Sequence, residues 1–212
     1  MEDVLEVYAR PYDAKRPIVC LDEKSKELHD TPRGEIPIVP GRAKRIDCDY
    51  ERNGTANLFM QVEPLVGKCR VAVTDRRTAF DFAEQLRIVT EEDYPDAELI
   101  VLVTDNLNTH HFGCLYERFA PEQARRIAGR IEWHYTPEHG SWLNMAEIEL
   151  SVLTRQCLSR RIADKETLQN AVKAWQEQRN TKPERIKWQF TAADARTKLR
   201  HLYPVLETSG KP

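Results

Sequence analysis

The chain has 212 residues, enough to bury a core in one large domain, and its 41% apolar and 31% charged content is that of a globular protein. Its net charge of −2 argues against a protein coated in nucleic acid, and no apolar run reaches the length of a membrane span. Five scattered cysteines (Cys20, Cys48, Cys69, Cys114, Cys157) form no C-x-x-C pair, which points to buried free thiols in a reducing cytoplasm rather than to disulfides or zinc.

Residues 1–16 read as a short helix and a connector, with Pro11 and Pro17 as breakers. A first strand is expected at Pro17–Leu21, ending at Asp22, and residues 23–41, rich in Pro and Gly, read as a long loop. Arg45–Tyr50 and Ala56–Val62 flank Asn53-Gly54, a strong hairpin signal. A third strand is expected at Cys69–Val73 and a helix from about Thr78 to Thr90. Leu99-Ile100-Val101-Leu102-Val103 is apolar without alternation, as in a strand covered on both faces, and it stops at Thr104-Asp105-Asn106.

Beyond it, Asn108 or Thr109 can cap a helix through Phe119, with another short helix at Pro121–Gly129 and a strand at Ile131–Tyr135. Helices are expected at Ser141–Cys157, after Asp164, and from Ala192 to His201 behind Thr191. The order predicts an α/β protein with a mixed sheet, an antiparallel hairpin at one side and helices around it.

In covered sheets the ligand crevice lies beyond the carboxyl ends of the strands, and two strands here end in acids, Asp22 and Asp105. Either acid alone can be a polar strand end. A third, Glu147, falls at the edge of an apolar stripe beside Leu143 and Leu150, while Glu149 points roughly the opposite way. Converging carboxylates repel one another, and a buried one is pushed toward its neutral form unless a cation meets it. Oxygen donors without Cys or His suit a hard ion, Mg²⁺ or Mn²⁺, and two such ions can serve an in-line phosphoryl displacement.

Three segments carry a resemblance: Val19-Cys20-Leu21-Asp22-Glu23, Val103-Thr104-Asp105-Asn106-Leu107-Asn108-Thr109-His110 and His139-Gly140-Ser141-Trp142-Leu143-Asn144-Met145-Ala146-Glu147. In order, they resemble the acidic motifs of the DDE transposases, in particular the bacterial insertion-sequence group related to mariner elements. The stretch from Trp188 through Thr191 and Leu199 to Pro204 is similar to that group's C-terminal end.

The resemblance implies a ribonuclease H-like fold with a five-stranded mixed sheet and helices on both faces. It implies that Asp22, Asp105 and Glu147 are catalytic and hold Mg²⁺ or Mn²⁺, as two ions. The reaction it implies is hydrolysis of phosphodiester bonds at the element's ends, then attack of the freed 3′-hydroxyl on target DNA. Asn106, His110 and Asn144 become candidates for orienting the carboxylates or touching DNA phosphate. For His110 a purely structural role is an equal alternative, and His134, Trp133 and Trp142 read as packing.

Arg33, Arg42, Lys44 and Arg45, and the second basic run with Arg155, Arg160 and Arg161, are candidates for gripping DNA; a solvated face is the alternative for each run. Glu23 is expected to face solvent. The Asp105–Glu147 spacing exceeds that typical of animal mariner elements, and residues 1–16 leave no room for the helix-turn-helix region that reads terminal repeats.

The expected organisation is a connector (1–16), a catalytic core (17–160) and C-terminal helices packed on it (161–212). Double-stranded DNA is the expected partner, a homodimer the expected active assembly, and the cytoplasm the expected location, with no membrane. The alternatives are a silent remnant that binds DNA or dimerises, and a stand-alone ribonuclease H-like nuclease.

Overall fold

One strand has antiparallel partners on one side and parallel partners on the other. A computed structural model describes residues 1–32, 40–41 and 49–203. Its strands are β1 (Ile18–Asp30), β2 (Glu51–Glu63), β3 (Lys68–Thr74), β4 (Ile100–Thr104) and β5 (Ile131–Tyr135), in the order β3-β2-β1-β4-β5. β1, β2 and β3 run antiparallel, whereas β1, β4 and β5 are parallel. This is the ribonuclease H-like arrangement that the resemblance implies.

The helices are α1 (Glu2–Tyr8), α2 (Ala79–Ile88), α3 (Gly113–Arg118), α4 (Pro121–Ala128), α5 (Met145–Leu153), α6 (Lys165–Thr181) and α7 (Ala192–Lys198). Strand alternation divides the core. Cys20, Val101 and Val103 pack with residues of α1, α5 and α6 on one face, and Val19, Leu21, Ile100 and Leu102 pack with α2, α3 and α4 on the other. All five residues of β4 are buried, as its unbroken apolar run requires. No helix of the described residues is long and apolar enough to cross a membrane. Cys20, Cys69, Cys114 and Cys157 are buried free thiols, and Cys48 lies outside the described residues.

The antiparallel half departs from expectation. β1 does not stop at Asp22 but continues to Asp30, paired with β2 all the way. Asn53-Gly54 is not a turn: both residues lie within β2, where the register shifts so that they face the single residue Leu28. Gly54 has φ +100°, which an L side chain resists, so the dipeptide serves a β-bulge.

Two helices also start late. After Asp105 the chain folds back in a tight loop, with the His110 amide on the Leu107 carbonyl, before α3 begins at Gly113. The expected helix from Ser141 is a single 3₁₀ turn at Ser141–Leu143, and α5 starts only at Met145, behind its cap Asn144. The outer edge of β3 is covered from α6: Gln176 accepts from the Val71 amide (2.7 Å), and Asn180 both accepts from and donates to the Cys69 backbone (3.0 and 2.8 Å). Two amides one helical turn apart thus occupy groups that would otherwise invite another strand.

α5 is buried on two sides, so the direction opposite Glu147 is not solvent. Glu149 has a side chain only 5% exposed and receives two hydrogen bonds from Arg179 of α6, at 2.8 and 3.1 Å. Removing one partner leaves a buried charge unmatched, a loss of roughly 3–5 kcal/mol. Arg179→Met is therefore expected to lower the urea midpoint sharply, and Arg179→Met with Glu149→Gln to recover most of it. Equal destabilisation by single and double variants would show that the pair is not what holds α6 to α5.

Candidate active site

The parallel register of β1 and β4 decides where the two strand-end acids stand. Cys20 lies beside Val103, and two residues further along both strands come Asp22 and Asp105. Both belong to the alternation that faces α5, because Cys20 and Val103 do. α5 is pinned to the same strand end. The Asn144 amide donates to the Leu21 carbonyl at 2.9 Å, while its oxygen caps α5 by accepting from the Ala146 amide. The Tyr8 hydroxyl donates to the Leu143 carbonyl at 2.6 Å. These bonds fix Glu147, in the first turn of α5, next to the end of β1, where the helix dipole favours a carboxylate.

Asp22 is 7% exposed, and its hydrogen-bonding partner among the described residues is the Glu23 amide. No cationic side chain of the described residues pairs with it. Burial, reinforced by the negative charges of Asp105, Glu23 and Glu147, pushes its carboxyl up to about 7. Asp22 and Glu147 line a common cleft of about 300 Å³ with Glu23, Lys24, Leu150, Ser151, Thr154 and Arg155.

Asp105, half-buried, is not among the residues that line that cleft. Its Oδ1 meets Nδ1 of His110 at 2.5 Å and accepts from the Leu107 amide at 3.3 Å. Burial would raise the Asp105 carboxyl, but the His110 hydrogen bond and charge prevail and hold it below the usual range. His110 is itself buried, stacked on Phe82 at 4.1 Å, with its Nε2 2.9 Å from Glu23 Oε2. Burial opposes its charge, yet the two flanking carboxylates lift the imidazole to about 9, so it is a cation at neutral pH.

Glu23 is thus not on the solvent side: its side chain is 3% exposed. A residue adjacent to Asp22 on a strand covered by helices must face the opposite core, and that alternation was the available signal.

Among the other predicted residues, Asn106 is exposed and Asn144 is fully buried in its capping role. Arg155 reaches the cleft and Arg160 is exposed, while Arg161 donates to the Asp49 carbonyl and lies over Tyr50. Arg33, Arg42, Lys44 and Arg45 lie outside the described residues. His134 bonds Asp3 and Glu132, and the half-exposed Trp142 stacks with Trp188. Lys24, overlooked in the sequence, spans the cleft to the Thr154 hydroxyl at 3.1 Å.

No three His, Cys, Asp or Glu side chains of the described residues stand close enough together to enclose a metal ion. Asp22 and Glu147 share the cleft, whereas Asp105 stands on the same face of the sheet without lining it, so the three carboxylates do not meet in one site here. The donor chemistry still fits a hard cation. All three candidates offer carboxylate oxygens, and Asp22 is a buried acid whose like-charged neighbours leave it without compensation.

A family model described as DDE superfamily endonuclease matches residues 17–169. No curated protein matches the chain. Among solved structures, the chain is similar to a pre-cleavage Mos1 transpososome at 16% identity and a TM-score of 0.52, covering 82% of this chain and 52% of that one. It is similar to Mos1 transposase in a paired-end complex with the left transposon end at 17% identity and a TM-score of 0.50, covering 83% and 53%. These likenesses are of fold, and the chain spans about half the length of the chains it resembles. The family match covers well over half of the 212 residues and contains Asp22, Asp105 and Glu147, so the chain belongs to the DDE superfamily of endonucleases.

Proposed function

We propose that this chain is the catalytic domain of a transposase, which cuts phosphodiester bonds at the ends of a DNA element and joins the freed 3′-hydroxyl to target DNA. The observation that carries this reading is the β1–β4 register that sets Asp22 and Asp105 on one face of the sheet, with Glu147 brought to β1 by the Asn144 bond to the Leu21 carbonyl. Asp22, Asp105 and Glu147 would hold Mg²⁺ or Mn²⁺; a divalent ion bound there activates an attacking oxygen and stabilises a leaving one.

The chain's own residues set the stage for that chemistry. Asn144 holds Glu147 against β1, His110 orients Asp105, and Arg155 brings positive charge to the cleft where a DNA phosphate would lie. Double-stranded DNA is the proposed substrate, with a second copy of the chain in the active assembly. The end of β4, the end of β1 and the start of α5 form one catalytic unit in this reading.

Labelled duplex DNA incubated with Mg²⁺ or Mn²⁺ should be cut by the wild-type chain. Asp105→Asn should slow cutting at least about a hundredfold, roughly 2.7 kcal/mol in barrier. A rate that ignores this substitution excludes the carboxylate mechanism.

The raised carboxyl of Asp22 has a stability consequence of defined sign. Its folded value of about 7 lies above the ordinary 3.8, so ionisation opposes folding. The penalty is absent below the ordinary value, grows as pH rises between the two, and is complete above about 7. Without divalent ions, Asp22→Asn should stabilise the chain at pH 8 by on the order of a few kcal/mol and leave stability at pH 3 nearly unchanged. Melting curves at the two pH values decide it; equal effects would mean that the carboxylate is not held against its charge.

For the phosphate contact, Arg155→Glu should weaken duplex binding and lower the slope of log affinity against log salt by about 1–2. An unchanged slope removes Arg155 from the DNA interface.

A further inference from the structure

Asp22 and Glu23 are consecutive on β1 and project to opposite faces of the sheet. Both border the cleft, and the Glu23 carboxylate, 3% exposed, meets His110. The ring of His110, 1% exposed, is held on three sides. Phe82 stacks on it at 4.1 Å with 23° between planes, Thr104 Oγ1 stands 3.2 Å from Nδ1, and Glu23 Oε2 stands 2.9 Å from Nε2. The Glu23 and His110 atoms are both buried, neither has a hydrogen bond elsewhere among the described residues, and their approach lies off the line of a good hydrogen bond. The other oxygen of Glu23 lies 3.8 Å from the Arg77 guanidinium. The same Nδ1 of His110 also meets Asp105 Oδ1, at 2.5 Å.

Both hydrogen bonds that Asp105 accepts within the described residues fall on Oδ1, from His110 and from the Leu107 amide. Its second oxygen is left for another partner.

We propose that Glu23 is a positioning residue that acts through His110 to fix the orientation of the Asp105 carboxylate. β1 then governs two of the three acids: Asp22 by carrying it, and Asp105 at one remove, by a Glu23–His110–Asp105 chain passing beyond the end of β4. The inference rests on the metal-holding role proposed for Asp105. Second partners of metal-holding groups change affinity about 10–100-fold when lost.

The test is Mn²⁺ binding to the purified full chain, followed by electron paramagnetic resonance, with circular dichroism as the check on folding. Glu23→Gln keeps the shape and removes the charge, and should weaken Mn²⁺ binding about tenfold. His110→Gln should weaken it similarly, and the double variant should be no weaker than His110→Gln alone, because the two residues act in series. A loss within twofold for Glu23→Gln overturns the proposal. So does a double variant that multiplies the two losses, since Glu23 would then act as bare negative charge.

Asp105→Asn separates the two levels: if it leaves Mn²⁺ binding intact, the metal-holding reading itself fails, and with it this one. Should Glu23→Gln not fold, the wild-type chain answers by proton resonance. The downfield Nδ1 proton of His110, shared with Asp105, should persist when Mg²⁺ is added, and its disappearance would overturn the assignment.

Discussion

Like charges held together in a half-dry place set the terms for the rest of this structure. Two unit charges about 4 Å apart repel by about 4 kcal/mol at an effective dielectric of 20. A flexible chain would relieve that repulsion by moving apart. Here the acids cannot move. Asp22 is fixed by the backbone ladder of the central strand, Asp105 by the parallel register of β4, and Glu147 by the Asn144 bond to the Leu21 carbonyl. The two apolar cores above and below the sheet supply the rigidity.

The features legible in the sequence are those decided locally. The run Leu99–Val103 is apolar on both faces, so β4 and the position of Asp105 at its end followed directly. Thr78, Asp164 and Thr191 each cap the helix expected behind them, because a side-chain oxygen three residues before a free amide needs no tertiary help. β1 was the opposite case. Its outer half, Lys24–Asp30, is mostly exposed and charged, and its strand character comes from pairing with β2, a contact that no local pattern announces.

The errors share one physical origin. Asn53-Gly54 was read as a turn because Gly tolerates positive φ, and that part was right; the tertiary context uses the same freedom for a bulge. The expectation that Glu23 faces solvent treats burial as one-sided, and Glu149, opposite Glu147 on α5, shows the same point. Both β1 and α5 are covered on two sides, and both acids are carried inward by a cation, His110 in one case and Arg179 in the other. An acid on a two-sided element needs a named partner before it can be sent to solvent, and the partner lies far away in sequence.

The recognisable family segment and the packed unit do not share boundaries. The family match begins at residue 17, yet Val4, Leu5, Val7 and Tyr8 of α1 are buried in the same core as Cys20 and Val103. At the other end it stops at residue 169, before Val172, Trp175 and Ala195, which complete that core. Burying one such aliphatic side chain is worth about 1.5–3 kcal/mol. A fragment trimmed to the matched segment would expose several of them and lose the Tyr8 bond to the turn that leads into Glu147. Inactivity of such a fragment would then report a collapsed scaffold rather than incompetent chemistry.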